Sequence, residues 1–165
     1  MLLKDFFDYK NLLMKEICCD PDIVKLVTGK DDSEVPNHTM AYTQVFPYEY
    51  VPETVDNGQT FICFDVDIWE VQNKTYYDPV LYVWIFTHKS KFRLETGGVR
   101  VDEIASLLDQ KLNGSRIFGL GELNLRSIRR FAPITDYQGR VLTYETRDFN
   151  RAGQKQPPAH RKPGV

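Results

Sequence analysis

Apolar residues at Leu2, Phe6, Tyr9, Leu13 and Ile17, widened by Leu3, Phe7, Leu12 and Met14, predict an amphipathic helix from Leu2 to about Cys18. Asp20-Pro21 then supplies a capping residue followed by proline at the first helical position. Ile23, Val24, Leu26 and Val27 carry a short second helix, which Gly29 ends. From Thr60 the period changes to two: Ile62, Phe64, Val66 and Ile68 fall on one face and Cys63, Asp65, Asp67 and Trp69 on the other, as in a half-buried strand. The run from Val80 to Thr87 is apolar on both faces and reads as a central strand pairing with the first in a long hairpin. Val101, Ile104, Ala105, Leu108 and Leu112 recur at helical spacing, with Asp102 and Glu103 in the first turn and Asn113-Gly114 as the stop. Two more strands close the pattern, Gly121 to Phe131 and Arg140 to Phe149, with Asp136 to Gly139 as the turn between them.

The order is therefore α-α-β-β-α-β-β. It predicts an α+β fold, a largely antiparallel four-stranded sheet with helices packed on one face, in one domain over residues 1–150. Residues 30–58 are dense in turn formers and predict a long loop. Within it Tyr42, Phe46, Tyr48 and Tyr50 either pack back on the core or lie on a neighbouring subunit. Residues 151–165 carry three prolines, four basic residues and few apolar ones, and predict a flexible basic tail.

With 165 residues, 42% of them hydrophobic, the chain is long enough to bury a sizeable core. No stretch reaches the roughly 18 apolar residues of a membrane span, and charge interrupts the apolar N-terminus, unlike a signal peptide. The three cysteines, Cys18, Cys19 and Cys63, fit neither a disulfide framework nor a spaced zinc site and imply a reducing compartment. In that setting the sequons at Asn37, Asn73 and Asn113 read as chance patterns. The net charge of −2 hides a division: residues 1–85 hold 6 Lys, no Arg and 15 acids, and residues 86–165 hold 15 Lys plus Arg against 8 acids. Such polarity suits head-to-tail contact between identical subunits, or it is cancelled by pairing inside one subunit.

Candidate chemistry is sparse. Asp65 and Asp67 project two carboxylates from one strand face. They are the best candidates for a divalent cation, with Glu70, Asp78 or Lys89 completing a small Mg²⁺-dependent nuclease; the bland reading is a solvated strand face. His38, His88 and His160 are scattered without partners at metal or catalytic spacing. Gly119 and Gly121 precede a strand rather than a helix and read as a turn. No nucleophile elbow, phosphate loop or Cys-x-x-Cys is present, and neither catalysis nor a cofactor is expected. Arg126, Arg129 and Arg130, with Arg140, Arg147 and Arg151, make the third and fourth strands basic. Nucleic acid is one partner such residues suit; an interface with carboxylates is the preferred one, since the sequence pI is about 5.9.

The second half, through Val99-Arg-Val-Asp-Glu-Ile104, Gly119-Leu-Gly-Glu-Leu-Asn-Leu125, Arg130-Phe-Ala-Pro-Ile134 and Gly139-Arg-Val-Leu-Thr-Tyr144, resembles tailed-bacteriophage neck proteins, and with the helix-first order the tail terminator group. The resemblance implies a virion protein that assembles in the host cytoplasm. Its subunits close into a six-fold ring on the tail tube, end tube growth and dock to head connector proteins, with DNA passing through the channel. Another neck ring component, a head-closure or tail completion protein, is the alternative within that class. The aromatic segment Tyr42, Phe46, Tyr48 and Tyr50 and the arginines Arg126, Arg129 and Arg130 are the interface candidates.

Overall fold

In the computed structural model, which describes residues 5–30, 39–52, 58–68, 76–117 and 121–149, helix α1 spans Asp5–Cys18 and α2 spans Pro21–Thr28. The junction is built as its residues dictate. Asp20 accepts hydrogen bonds from the amides of Asp22 and Ile23, each at 2.9 Å, Pro21 opens the helix, and Gly29 closes it in the left-handed conformation at φ 76°. Leu13 and Ile17 of α1 and Ile23, Val24 and Val27 of α2 are buried. Phe7, which the periodicity adds to the stripe, lies outside it at 69% exposure.

Strands β1 (Val45–Phe46), β2 (Thr60–Ile68), β4 (Pro79–His88), β5 (Asn124–Phe131) and β6 (Tyr137–Glu145) form one sheet in the order β1-β2-β4-β6-β5. All neighbours are antiparallel except β1 and β2, so the sheet is mixed and five-stranded rather than four-stranded. The additional strand comes from the predicted loop. Met40 and Val45 are buried, the Gln44 carbonyl accepts the Ile62 amide at 2.9 Å, and the Gln44 side chain donates to Val27 and Thr60 carbonyls. Burial and backbone pairing thus recruit a segment that its prolines and turn formers disguise. Among the described residues β1 covers only Ile62 and Cys63, leaving Phe64–Ile68 as a free edge.

The turn between the last two long strands also lies elsewhere than the sequence suggests. Tyr137, Gln138 and Gly139 belong to β6, and the connection is formed by residues 132–136. Gly139 is a strand glycine because a Cβ there would run into the Ile85 carbonyl and the Phe86 backbone. Its bare backbone lets Phe86 and Phe131, from the strands on either side, bring their rings to 5.7 Å. The short strands β3 (Tyr76–Tyr77) and β7 (Asp148–Phe149) pair antiparallel in the same register as β4 and β6. Arg147 and Asp78 bridge the interruption, Nε to Oδ1 at 2.7 Å.

All three helices cover one face of the sheet. Ile62, Phe64 and Val66, then Leu81, Val83 and Ile85, then Leu142 and Tyr144 share a core with α1, α2 and with Val101, Ile104 and Leu108 of α3 (Arg100–Leu112). Two tyrosines fasten this layer: Tyr9 donates to Asp148 at 2.9 Å, and Tyr144 donates to Asp109 of α3 at 3.0 Å. The opposite face carries a smaller aromatic layer of Phe46, Phe61, Phe86 and Tyr137, with Tyr50, Trp84 and Phe131 at its margin. The first half of β2 is consequently buried on both faces, where alternation alone predicts one. Among the described residues no helix is long and apolar enough to cross a membrane.

Candidate functional site

The aromatic segment divides between packing and display. Phe46 is buried in β1 and stacks on Tyr50 with ring centres 4.1 Å apart and planes at 14°; Tyr50 continues to Phe61 at 5.4 Å. This anchors Phe46 and Tyr50 to the aromatic layer. Tyr42 and Tyr48 point outward at 62% and 45% exposure. Tyr42 also holds a left-handed backbone at φ 59°, secured by its amide donating to the Val45 carbonyl at 2.8 Å. A large ring in a conformation that costs an L-residue about 1 kcal/mol or more, and exposed besides, gains nothing from the core.

The arginines of β5 separate just as clearly. A bulge between Leu125 and Ser127 offsets the strand and brings Arg126 to Glu145, Nη1 to Oε2 at 3.4 Å. Both side chains are well exposed, so this pair contributes a few tenths of a kcal/mol at most. Arg129 is in register with Val141 on the face bearing the aromatic layer, and it has no ion-pair or hydrogen-bond partner among the described residues. Arg130 is in register with Arg140 on the helix-bearing face, where it donates to Gln138 at 3.1 Å. Adjacent in sequence, Arg129 and Arg130 therefore address different surfaces.

The two groups of candidates are not brought together. Tyr42 and Tyr48 flank β1 at one edge of the sheet, with the exposed Glu49 next to Tyr48 in the chain and the exposed Asp67 near the end of β2. Arg126, Arg129 and Arg130 occupy β5 at the other edge. The division of charge along the chain survives in part. Lys111–Asp20 at 2.9 Å and Arg147–Asp78 join the halves, whereas Arg140–Asp102, Arg116–Glu122, Lys89–Asp136 and Arg126–Glu145 lie wholly within the second.

Asp65 and Asp67 share a strand face as alternation requires, but the Asp65 carboxylate is engaged. It accepts Lys10 Nζ at 2.7 Å and the Val66 amide at 2.7 Å. The second contact occupies an amide on the free edge of β2. The side chain thus blocks edge pairing, a role its sequence position does not advertise. Among the described residues no three His, Cys, Asp or Glu side chains converge on a common point. Glu70, His38, Asn37, Asn73, Gly119, His160, Arg151 and the rest of the tail at 151–165 lie outside the described residues. His88 is buried against Tyr137, with Nδ1 2.7 Å from Ser90 Oγ. Burial pushes the Cys18 thiol up to about 11 and the Cys63 thiol up to about 12, while Cys19 is exposed.

Sequence patterning missed two features of these surfaces. Tyr82 and Trp84 stack at 5.6 Å on the face away from the helices, half-buried where the aromatic layer that holds Phe86 gives out. A groove of about 350 Å³ between the first turn of α3 and strands β5 and β6 is lined by Phe92, Val99, Val101, Asp102, Arg130, Gln138, Gly139 and Arg140. It depends on tertiary packing that no single segment reveals.

No curated protein matches the chain. A family of known proteins does, over residues 20–146, which run from the cap of α2 to the end of β6 and make up well over half of the molecule. The chain belongs to the YomW family, a phage-associated family like proteins of the SPBeta region of a Bacillus phage.

Proposed function

We propose that this protein is a structural component of a phage neck. Its subunits associate head to tail into a closed, six-fold ring of the tail terminator kind, between the tail tube protein and the head connector. The observation that carries this reading is the unlikeness of the two sheet edges. Exposed aromatics with Glu49 and Asp67 mark the β1–β2 side, and three exposed arginines mark β5. Heterologous contact between such edges generates rings when the rotation closes, and charge complementarity sets their register. Membership in a phage-associated family supports the setting. The protein then acts by assembly in the virion, without a cofactor, and DNA passes through the ring.

Native mass spectrometry tests this. A hexamer is expected, and a monomer over the whole accessible concentration range overturns the proposal. Sedimentation adds a second measure: between about 0.05 and 0.5 M salt the Debye length falls from roughly 14 to 4 Å, and the assembled fraction should fall with it. Growing tail tubes in the presence of the protein distinguishes a terminator from a head-closure or tail completion protein, because only a terminator fixes tube length.

A further inference from the structure

Arg130 and Arg140 oppose one another directly across β5 and β6 on the helix-bearing face. Like charges in that position repel, so such a pair persists where anions compensate it. One anion is present. Asp102, in the first turn of α3, takes Arg140 with two hydrogen bonds, at 2.7 and 3.3 Å. Among the described residues Arg130 has only the neutral Gln138 side-chain oxygen at 3.1 Å, which satisfies one donor and none of the charge. The groove between them thus holds two guanidiniums and one carboxylate. Its other walls are Phe92, Val99 and Val101, an apolar lining that excludes water from one side of whatever enters. A volume of about 350 Å³ accommodates an acidic side chain with its backbone approach.

We infer that this groove is a carboxylate-binding pocket that takes an aspartate or glutamate side chain from a second copy of the chain, with Arg130 as the guanidinium whose charge it compensates. The inference rests on the head-to-tail reading above. Charge supports the choice of occupant. Residues 1–85 hold 15 acids and no arginine, and Glu49 and Asp67 are exposed near the opposite edge of the sheet, where a head-to-tail neighbour presents them. A planar carboxylate matches the guanidinium fork bidentately and completes an alternating row of Asp102, Arg140, the incoming acid and Arg130.

The test combines a soluble probe with assembly. Hexaglutamate peptide is titrated into ¹⁵N-labelled protein while the Arg130 Nε–H and Val101 amide signals are followed. Sedimentation of wild type, Arg130→Gln, Arg129→Gln and the charge swaps Arg130→Glu with Glu49→Arg or with Asp67→Arg is measured in parallel. Saturable shifts in wild type, about tenfold weaker in Arg130→Gln and unchanged in Arg129→Gln, support the pocket. Loss of the assembled species in Arg130→Glu, restored by one of the two swaps, supports the second copy as occupant. Absence of peptide binding overturns the pocket. Peptide binding together with assembly indifferent to Arg130→Gln overturns the second copy as occupant. Peptide binding by a wild type that stays monomeric overturns the ring reading while leaving the pocket standing. Arg130 is exposed, so an unchanged melting temperature for Arg130→Gln separates these outcomes from misfolding.

Discussion

Lys111 Nζ lies 2.9 Å from Asp20 Oδ2, joining the last turn of α3 to the residue that caps α2. Asp20 thus serves two elements with two oxygens, since its Oδ1 accepts the amides of Asp22 and Ile23. Replacing it with alanine should cost about 1 to 2 kcal/mol, measured by urea denaturation. Asparagine retains the capping acceptor and should cost less than half of that.

The pH dependence of that difference follows from the charge. Burial pushes the Asp20 carboxyl up, but the hydrogen bond and charge of Lys111 and the two amides more than offset it, so its pKa is lowered. A carboxyl depressed in the folded state adds stability above its unfolded value near about 4, and that stability is lost as pH falls through the folded value. The gap in melting temperature between wild type and Asp20→Asn should accordingly be steady near neutrality and narrow below about pH 4.

Gly139→Ala should be among the most damaging single changes in the sheet, because the added methyl has backbone rather than a flexible side chain in its way. A loss of about 3 kcal/mol or failure to fold is expected in thermal unfolding. Recovery of wild-type stability would place the strand differently.

Tyr42→Asn should leave the monomer as stable as wild type or up to about 1 kcal/mol more stable, because asparagine tolerates the left-handed backbone better than tyrosine. If the exposed ring serves association, the same variant assembles less. A stable monomer with undiminished assembly would remove Tyr42 from the interface.

Thiol labelling provides an independent check on the core. Iodoacetamide at neutral pH should add one group to the folded chain, at Cys19, because burial holds Cys18 and Cys63 as thiols with pKa raised to about 11 and about 12. All three should react in denaturant, read by intact mass.

Local signals were legible wherever the chemistry was local. The Asp20-Pro21 start and Gly29 stop of α2, the stripe of α3 and the alternation of β2 all appear where their residues place them. What stayed hidden depends on distant partners. The strand at Val45–Phe46 exists because the Ile62 amide donates to the Gln44 carbonyl and the Gln44 side chain donates to the Thr60 carbonyl, and Gly139 reads as a turn residue until Ile85 is seen beside it. The arginines were legible as a basic strand. That Arg129 and Arg130 take opposite faces follows from their adjacency, but which face each takes was hidden, because the bulge after Leu125 shifts the alternation.

The occupied amide of Val66 bears on the solubility of the unassembled chain. A free β edge recruits strands from other molecules without regard to identity, and repeated recruitment ends in fibrils. Here one margin is plugged by its own Asp65 carboxylate, held by Lys10, and the other bears three guanidiniums that would meet their own kind in a like-to-like encounter. Neither margin templates a copy of itself. Newly made chains can accumulate without pairing edge to edge, and Asp65→Ala, which unplugs Val66, should shorten the lag before thioflavin-positive aggregates form.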